Sequence, residues 1–347
     1  MKRLIPATLL TSAALLAATT LPASASTVSI PVPGATSLVA VDTSTKLVYV
    51  GTTPAAPPDR PDVNSSAGVS VVDPSTRKVV KAVALDYLQS YGMGEGVADV
   101  AVSAQSRDLW VLVGWGDTAG GCWSKLYQLN KTSMATIRTY SLGCSSKVEV
   151  DPTSEWAYLT EAPQYADQGG ASAPPVTKGS VVAVNGATGA VTRAVLPSPA
   201  VPSAGDHYDP TSIAFDRYNY GIYVVGQNHV WVYTTKLQLV HTTTLGYSTF
   251  SGLSAAANRV TNRIYVTDGR VVSEISGPTG NVTRTSVLGG GSTMEIDTGS
   301  NVLYLGTNTI SLSTLTSTGK QTYKVAAVDS TTHARYWAAP SQLYVTR

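Results

Sequence analysis

The chain has 347 residues, of which 13% are charged, with 24 Lys and Arg against 22 Asp and Glu. The charged fraction is well below the ~25% of ordinary globular domains. A net charge near zero lacks the basic footprint that nucleic-acid binding requires. We therefore expect no nucleic-acid partner. The length suffices for a large core, and a domain built from repeats can use all of it.

The first 25 residues predict a secretory signal peptide. Lys2 and Arg3 give a charged start, residues 4–21 are apolar and rich in alanine, and Ala23-Ser24-Ala25 fits a small-residue cleavage site. Thr and Ser interrupt the apolar run, which disfavours a membrane anchor. We expect an exported chain, secreted or associated with the cell envelope, with no membrane span. Residues 26–347 are then a single domain.

A short hairpin pattern recurs seven times along the chain. An apolar run ends in a small polar turn residue, and an aromatic residue follows seven positions later, as in Asp42 and Tyr49. An Asp at this position bonds its own backbone two residues on, which starts a tight turn. The other six pairs are Ser103 with Trp110, Asp151 with Tyr158, Asp216 with Tyr223, Asn258 with Tyr265, Asp297 with Tyr304, and Asp329 with Tyr336.

The apolar runs predict strands. Runs such as LVYVG and IYVVG are rich in β-branched and aromatic residues and do not alternate cleanly with polar ones. That is typical of strands covered on both faces. Two further strands follow in the readable units, for example residues 69–73 and 78–85. The pattern predicts an all-β, seven-bladed β-propeller of four-stranded antiparallel blades.

The sixth repeat leaves the number of blades open. After a third strand at residues 309–315, little room remains for a fourth strand before Val325. Either the outer strand is stunted around residues 321–324, or the count is one too high. Six blades is therefore the alternative.

Two repeats resemble a known family. Tyr265-Val266-Thr267-Asp268 and Tyr344-Val345-Thr346-Arg347 are near-literal copies of a YVTN phrase, and VSVVDPSTRKVV at residues 69–80 resembles the other half of that repeat. From residue 27 to 347, the chain resembles the YVTN-repeat β-propellers of secreted and cell-surface proteins. The resemblance implies the fold and not an activity, because such propellers carry unrelated functions.

Both chain ends contribute to the last blade in this interpretation. Residues 27–33 form one strand ahead of blade one, whereas the C-terminal stretch supplies three, at 325–329, 334–339 and 342–346. We expect the N-terminal strand to close the ring as the outer strand of the last blade, because closure pairs edges that would otherwise be open.

The long insertions all fall on one side of the predicted disc. Residues 54–67, 114–123 and 161–178 connect second and third strands, and residues 86–96 and 197–210 connect blades. Strand alternation brings all five to one face, here called the top face. A rigid scaffold with elaborated loops on one face usually presents its function there.

The only cysteines, Cys122 and Cys144, flank the outer strands of blade two. The corresponding ends of an antiparallel pair lie side by side, so we expect a Cys122–Cys144 disulfide. In an exported protein its role is that of a structural staple, worth roughly 3 kcal/mol by loop closure. No CxxC-like setting supports a redox role.

The position two residues before each turn residue predicts a ring around the axis. Small residues let the inner strands converge, whereas a carboxylate there is costly unless it is paired or reaches channel water. The two glutamates either act on a ligand, cation or proton, or are paired or hydrated parts of the channel wall. The ring consists of Ala40, Ala101, Glu149, Ala214, Ala256, Glu295 and Ala327.

A second candidate site lies at the entry to blade four. Asp206, His207, Tyr208 and Asp209 are consecutive, and His229 begins that blade's third strand on the same face. His and Asp together suit acid–base work or a metal. No HxH, HExxH or Cys/His spacing supports a metal, and we expect neither a metal nor another cofactor. The alternative is a polar loop with capping aspartates.

A third candidate site is an aromatic platform on the top loops. Aromatic rings stack on sugars and anchor protein interfaces, although rings on long loops also serve to cover those loops. The platform would contain Tyr91, Trp115, Trp123 and Tyr165, with Asp59 and Arg60 nearby.

These observations favour a monomeric binding or scaffold module over an enzyme. Its partner is a cell-wall glycan, a peptide or a protein, held by the platform together with Asp206, Tyr208 and Asp209. The alternative is a propeller-type lyase or hydrolase, similar to a lactonase, that uses acidic and His residues at the channel. The candidate catalytic residues are Glu149, Glu295, His207 and His229.

Overall fold

The structure is a computed structural model that describes most of the chain after the first 25 residues. For residues 115 and 116 the structure describes the backbone alone. The described residues are 26–53, 67–85, 96–116, 122–151, 153–163, 178–197, 210–216, 221–226, 228–246, 253–289, 291 and 293–347.

The described strands form seven four-stranded antiparallel sheets that are arranged as blades in a ring. Seven blades of four strands confirm the predicted β-propeller and exclude the six-bladed alternative. No α-helix occurs within the described ranges. Accordingly, this part of the chain has no helix that is long and apolar enough to cross a membrane.

In blades one to six, the strands follow one another from the axis outward in chain order. Blades one to three are β2 (Ala35–Val41), β3 (Val48–Thr52), β4 (Gly68–Asp73) and β5 (Lys78–Ala84); β6 (Gly96–Val102), β7 (Asp108–Gly116), β8 (Cys122–Asn130) and β9 (Thr136–Leu142); and β10 (Val148–Val150), β11 (Trp156–Glu161), β12 (Ser180–Asn185) and β13 (Val191–Val195). Blades four and five are β14 (Pro210–Asp216), β15 (Gly221–Gly226), β16 (His229–Thr234) and β17 (Leu239–Thr244); and β18 (Ser254–Asn258), β19 (Arg263–Thr267), β20 (Val271–Ser276) and β21 (Val282–Val287).

The last two blades contain both chain ends of the described domain. Blade six is β22 (Met294–Asp297), β23 (Val302–Leu305), β24 (Asn308–Ser311) and β25 (Thr316–Lys320), and blade seven is β26 (Ala327–Asp329), β27 (Ala334–Ala339) and β28 (Gln342–Thr346) with β1 (Thr27–Pro31) outermost. Strand β1 pairs with β28 from Thr27 opposite Thr346 to Pro31 opposite Gln342. The predicted closure of the ring is therefore confirmed.

Blade six has a complete outer strand, so the predicted strand limits there are wrong. Strand β24 ends at Ser311, and β25 begins at Thr316 rather than near residue 321. The turn between them is closed by the Leu315 N–H, which donates to the Ser311 carbonyl at 2.8 Å. Leu315 has φ 55°, a left-handed conformation that is uncommon for a residue other than Gly, Asn or Asp. No Gly or Asn marked this turn in the sequence.

The turn residues of the repeat form the predicted local hydrogen bonds. In six described hairpins, the side-chain oxygen accepts from the backbone N–H two residues on, at 2.8–3.3 Å. Each of these side chains is at most 5% exposed. The six turn residues are Asp42, Ser103, Asp151, Asn258, Asp297 and Asp329.

The aromatic residue of the repeat contacts the next blade. The Tyr223 hydroxyl of blade four donates to the Gly277 carbonyl of blade five at 3.0 Å. Trp110 of blade two lies so close to Gly186 of blade three that an added Cβ there would be 2.9 Å from its ring. The turn residue of each repeat therefore shapes its own hairpin, and the aromatic residue seven positions later contacts the next blade.

Apolar clusters of buried residues join most neighbouring blades. They lie between blades one and two, two and three, three and four, four and five, five and six, and seven and one. Between blades six and seven, the described residues form no such cluster. The ring of Tyr323, on the connection between these two blades, stacks on Trp337 of β27 at 3.3 Å between centroids. Within blade seven, Trp337 in turn stacks on Tyr344 at 5.1 Å.

Candidate functional site

The inner strands surround a central channel with a cavity of about 890 Å³. The predicted ring of alanines and glutamates is largely confirmed as channel wall. Six of its seven positions line the cavity, whereas Ala214 is buried in the cluster between blades four and five. Small side chains at these positions leave the axis open.

Six charged side chains line the cavity. Asp99 belongs to blade two, Lys147 and Glu149 to blade three, and Glu295 to blade six, whereas Arg259 follows the inner strand of blade five and Lys324 precedes that of blade seven. The sequence pattern identified the two glutamates and missed Asp99 and Lys147. The pattern used one position on each inner strand, two residues before the turn, and Asp99 lies four residues before Ser103. Lys147 precedes the three-residue strand β10 and lay outside the repeat pattern.

Asp99 joins two blades through backbone hydrogen bonds. Its Oδ1 accepts from the Val100 N–H, and its Oδ2 accepts from the Val148 N–H of the next blade, both at 2.9 Å. Burial raises the pKa of Asp99 to about 6, even though Lys147 and the Val148 N–H oppose the shift. Both carboxylate oxygens of Asp99 thus accept a backbone hydrogen bond within the channel wall.

Lys147 is the least exposed of the three basic side chains on the cavity wall. Its Nζ lies 3.9 Å from Oε1 of Glu149, and the two side chains are 26% and 24% exposed. Burial alone would lower the pKa of Lys147, but attraction by Glu149, Asp99 and Glu295 holds it above its ordinary value. Lys147 therefore stays protonated at every physiological pH, paired first with Glu149.

Glu295 differs from the other channel carboxylates. The described residues offer it no hydrogen bond and no ion pair within 4.0 Å. Burial raises the pKa of Glu295 to about 8; Glu149 and Asp99 add to the shift, whereas Lys147 and Arg259 oppose it. Near neutral pH its carboxyl group is therefore mostly protonated.

The structure does not bring His229 to the channel. His229 begins β16 of blade four, stacks on Trp231 at 5.6 Å between ring centroids, and is not part of the cavity wall. Of the four candidate catalytic residues, Glu149 and Glu295 line the cavity, whereas His229 does not. His207, Asp206, Tyr208 and Asp209 lie outside the described residues.

Only one residue of the predicted aromatic platform has a described side chain. Trp123 on β8 is 41% exposed, and it is the one aromatic among the exposed large apolar side chains of the described ranges. The backbone of Trp115 pairs with that of Trp123. Asp59, Arg60, Tyr91 and Tyr165 lie outside the described residues.

The edge that carries Trp123 is firmly held. The predicted disulfide between Cys122 and Cys144 is present. The Ala162 N–H of blade three donates to the Cys144 carbonyl at 2.7 Å, and Ser124 Oγ donates to the Ser145 carbonyl at 3.1 Å. Trp123 therefore lies beside a cross-linked junction between blades two and three.

Metal binding finds no support in the described part of the chain. No group of three or more His, Cys, Asp or Glu side chains there is arranged to hold a metal ion. The channel carboxylates belong to different blades, and Asp99 already accepts two backbone hydrogen bonds.

Comparison with known proteins identifies the architecture alone. No protein-family model matches the chain, and no curated protein sequence matches it. The β-propeller domain of Cps50 (Swd1) from Myceliophteria thermophila is similar in structure, with a TM-score of 0.64 and 10% identity over 92% of this chain and 98% of that one. A chain of a mitotic checkpoint complex has a TM-score of 0.64 and 13% identity over 100% of this chain and 98% of its own.

The fold is that of a seven-bladed β-propeller. At 10% and 13% identity, the two similar structures share that fold with this chain and carry no evidence about its ligand. Function has to be argued from the channel and the top face.

Proposed function

We propose that this protein is an exported interaction module that holds a protein or peptide partner on its top face. The observation that carries the proposal is Trp123, which is 41% exposed beside the Cys122–Cys144 disulfide. An exposed Trp on a rigid edge suits an interface anchor, because it buries much apolar area and loses little conformational entropy.

The topology supports the choice of face. Strand β7 ends and β8 begins at the top face, and strands β3, β5, β11 and β13 end on the same side. One of the similar structures is a chain of a mitotic checkpoint complex, a protein assembly by its description. A propeller chain within a protein assembly is a precedent for an interaction module, and loops on one face of a rigid scaffold suit that role.

Export is the second half of the proposal. It is supported by the signal pattern of residues 1–25, by the resemblance to YVTN-repeat propellers, and by a disulfide, which is typical of oxidising compartments. Sequencing the N-terminus of the protein from its native host tests it. A mature chain beginning near Ser26 outside the cytoplasm is expected, and an intact leader on a cytoplasmic chain overturns this part.

The binding surface is tested by capture with a matched pair of variants. The immobilised chain from residue 26 is incubated with the host's cell-surface and secreted proteins, alongside Trp123→Ala and Val240→Ala. Val240 is 64% exposed on β17, at the outer rim of blade four, so its loss controls for a general decrease in apolar surface. We expect Trp123→Ala to weaken the captured partner's affinity at least ~10-fold, in the range of an interface anchor, and Val240→Ala to leave it unchanged.

Two outcomes contradict the proposed surface. Equal capture by the wild-type protein and Trp123→Ala would remove Trp123 from the interface. Retention on purified cell-wall polysaccharide, with no protein partner, would replace the protein or peptide with a glycan. Thermal melting of both variants verifies that each is folded before capture is compared.

A further inference from the structure

The exposed charges on the described part of the chain are of one sign. Every Asp and Glu within the described ranges is buried or half-buried, and most of them cap turns, pair with Lys or Arg, or line the channel. Basic side chains are exposed on several blades. The other acidic residues of the sequence fall in connections outside the described ranges, among them Asp59, Asp117 and Asp206. A net charge near zero for the whole chain therefore does not make the described surface neutral.

The face opposite the top face, here called the bottom face, consists of short turns that join first to second and third to fourth strands. On blades one and two these turns are in contact. The Lys131 N–H donates to the Arg107 carbonyl at 2.8 Å, which joins the two turns of blade two. Lys131 Nζ lies 2.8 Å from Oδ2 of Asp42 in the inner turn of blade one, and Lys81 of blade one donates to the Thr132 carbonyl. The turns therefore form one continuous surface.

Three exposed basic side chains on this surface have no acidic partner. Arg107 lies on the inner turn of blade two, and Arg77 and Lys78 lie at the outer turn of blade one. None of the three forms an ion pair within 4.0 Å with a described residue. The half-buried Asp73 carboxylate beside them accepts hydrogen bonds from the N–H and hydroxyl of Ser75 instead.

Arg77, Lys78 and Arg107 are here called the basic stripe. First strands are innermost and fourth strands outermost, so the stripe extends from near the axis to the rim. The neighbouring ammonium groups of Lys131 and Lys46 differ from it, because they lie 2.8 and 3.0 Å from buried carboxylates. Those two lysines serve the fold. Like charges on adjoining turns repel one another, and no described contact of the stripe offsets that cost.

We propose that the basic stripe binds a linear anionic polysaccharide of the cell envelope. A chain with repeated negative groups can pair with cations that lie one after another from the axis to the rim. Each such pairing releases counterions, which is the main source of affinity between basic side chains and polyanions. The envelope as the place of binding rests on the proposed export, whereas the stripe lies on the face opposite the proposed protein-binding surface.

Two other polyanionic partners fit the stripe less well. Proteins that bind single-stranded nucleic acids stack the bases on aromatic side chains, and peripheral membrane segments insert aromatic and large apolar ones. The one aromatic among the exposed large apolar side chains of the described ranges is Trp123, at the top face. The stripe therefore offers charge without a surface for stacking or insertion.

The test is fluorescence anisotropy with labelled carboxymethyl dextran, and uncharged dextran of the same length is the control polymer. The chain from residue 26 is titrated into each polymer at about 50 mM and about 200 mM salt. We expect saturable binding of the charged polymer at the lower salt concentration and no binding of dextran. Affinity should fall at least ~10-fold at the higher salt concentration, because a stripe of this size releases several counterions.

Two triple variants with the same change in net charge make the result specific. The stripe variant carries Arg77→Gln, Lys78→Gln and Arg107→Gln, and it should bind at least ~10-fold more weakly. The control variant should change the affinity less than ~2-fold, because it neutralises exposed side chains on blades four, five and six. Its substitutions are Lys236→Gln, Arg270→Gln and Lys320→Gln.

A charge-preserving variant separates charge from folding. Arg77→Lys combined with Arg107→Lys keeps all three positive charges and should bind the polymer as the wild type does. Thermal melting verifies that every variant is folded. A stripe variant that melts as the wild type does and still binds with full affinity overturns the inference.

Further outcomes also overturn it. They are no binding of the charged polymer, equal losses in the two triple variants, and equal binding of uncharged dextran. Duplex DNA or anionic phospholipid vesicles that compete more strongly than carboxymethyl dextran would replace the polysaccharide with another macromolecule. Light scattering at low salt that shows self-association, lost in the stripe variant, would replace it with a second copy of this chain.

The proposed function and this inference can fail separately. Trp123→Ala should bind carboxymethyl dextran as the wild type does, and the stripe variant should still capture the protein partner. Loss of the polymer site, with partner capture through Trp123 intact, removes the stripe and leaves the proposed function standing.

Discussion

At the scale of single residues, hydrogen-bond donors decide the charge of a buried glutamate. Glu161 is 8% exposed and accepts two hydrogen bonds from Arg193, at 3.0 and 3.1 Å, and one from the Gly143 N–H at 3.0 Å. Burial alone would raise the pKa of Glu161, but these donors hold it below its ordinary value. Glu295 lacks such donors, and burial therefore determines its pKa.

The raised pKa of Glu295 predicts a specific pH dependence of stability. The folded protein holds a proton at Glu295 up to about pH 8, whereas in the unfolded chain the group ionises near 4.5. The stability from this protonation is fully present below pH 4.5 and is lost as the pH rises toward 8. Gln does not ionise, so the variant Glu295→Gln does not lose stability in this way as the pH rises. The Tm of Glu295→Gln relative to wild type should therefore rise from about pH 5 to about pH 8, by at least ~2 °C.

Melting curves of both proteins across this pH range give the measurement. Glu155→Gln, outside the channel wall, should show no comparable trend. A Tm difference between Glu295→Gln and wild type that is constant with pH would mean that Glu295 titrates normally in the folded protein.

At the scale of elements, one strand from the N-terminal end completes the ring. Strand β1 forms the outer edge of blade seven. Ile30 and Val32 are fully buried in the cluster that joins blades seven and one, together with Val48 and Leu343. The closing strand thus contributes apolar packing in addition to backbone hydrogen bonds.

Truncating the buried side chain of this strand should destabilise the whole domain. Ile30→Ala removes a fully buried side chain and should lower the free energy of unfolding by about 2–5 kcal/mol. Val28→Ala on the same strand is the control, and it should cost less, because Val28 is only partly buried. Urea denaturation of both variants gives the comparison.

Deletion of residues 26–34 extends this test to the whole strand and should lower the Tm sharply. An unchanged Tm after deletion, or equal losses for Ile30→Ala and Val28→Ala, would show that β1 contributes little to closure.

At the scale of the whole molecule, the seven interfaces between blades are unequal. Six contain an apolar cluster, whereas that between blades six and seven depends on stacked rings and polar contacts among its described residues. His333 Nδ1 lies 2.8 Å from Asp297 Oδ2, and Arg335 lies over the Tyr304 ring at 6.0 Å. His333 is 55% exposed, and polar contacts of such exposed side chains contribute little stability. Blade six also has the shortest set of strands, of four or five residues each.

This asymmetry predicts where the ring opens first. Amide hydrogens of β22–β25 should exchange faster than those of β15 and β16 in blade four, because local opening follows low apolar contact. Hydrogen exchange followed by mass spectrometry measures the difference. Uniform exchange across all seven blades, or fastest exchange at the pairing of β1 with β28, would contradict it.

The sequence by itself determined the repeat, the closure and the disulfide. The turn at Asp42 depends on a hydrogen bond to the residue two positions on, and such local chemistry is legible without a structure. The end of β24 could not be predicted in this way. Leu315 has a positive φ in the turn that follows, and Leu is a residue type that rarely adopts one.

Only the tertiary structure decided which charges meet. Asp99 and Val148 are 49 positions apart in sequence, and no periodic pattern joins them. The repeat placed Glu149 and Glu295 on the axis, but it could not show that Lys147 lies beside one and that the other has no partner. It also suggested His229 for the same site, and the fold places that residue on a third strand, away from the channel. Spacing along the chain fixes the blades, whereas partners contributed by different blades are fixed only when the ring closes.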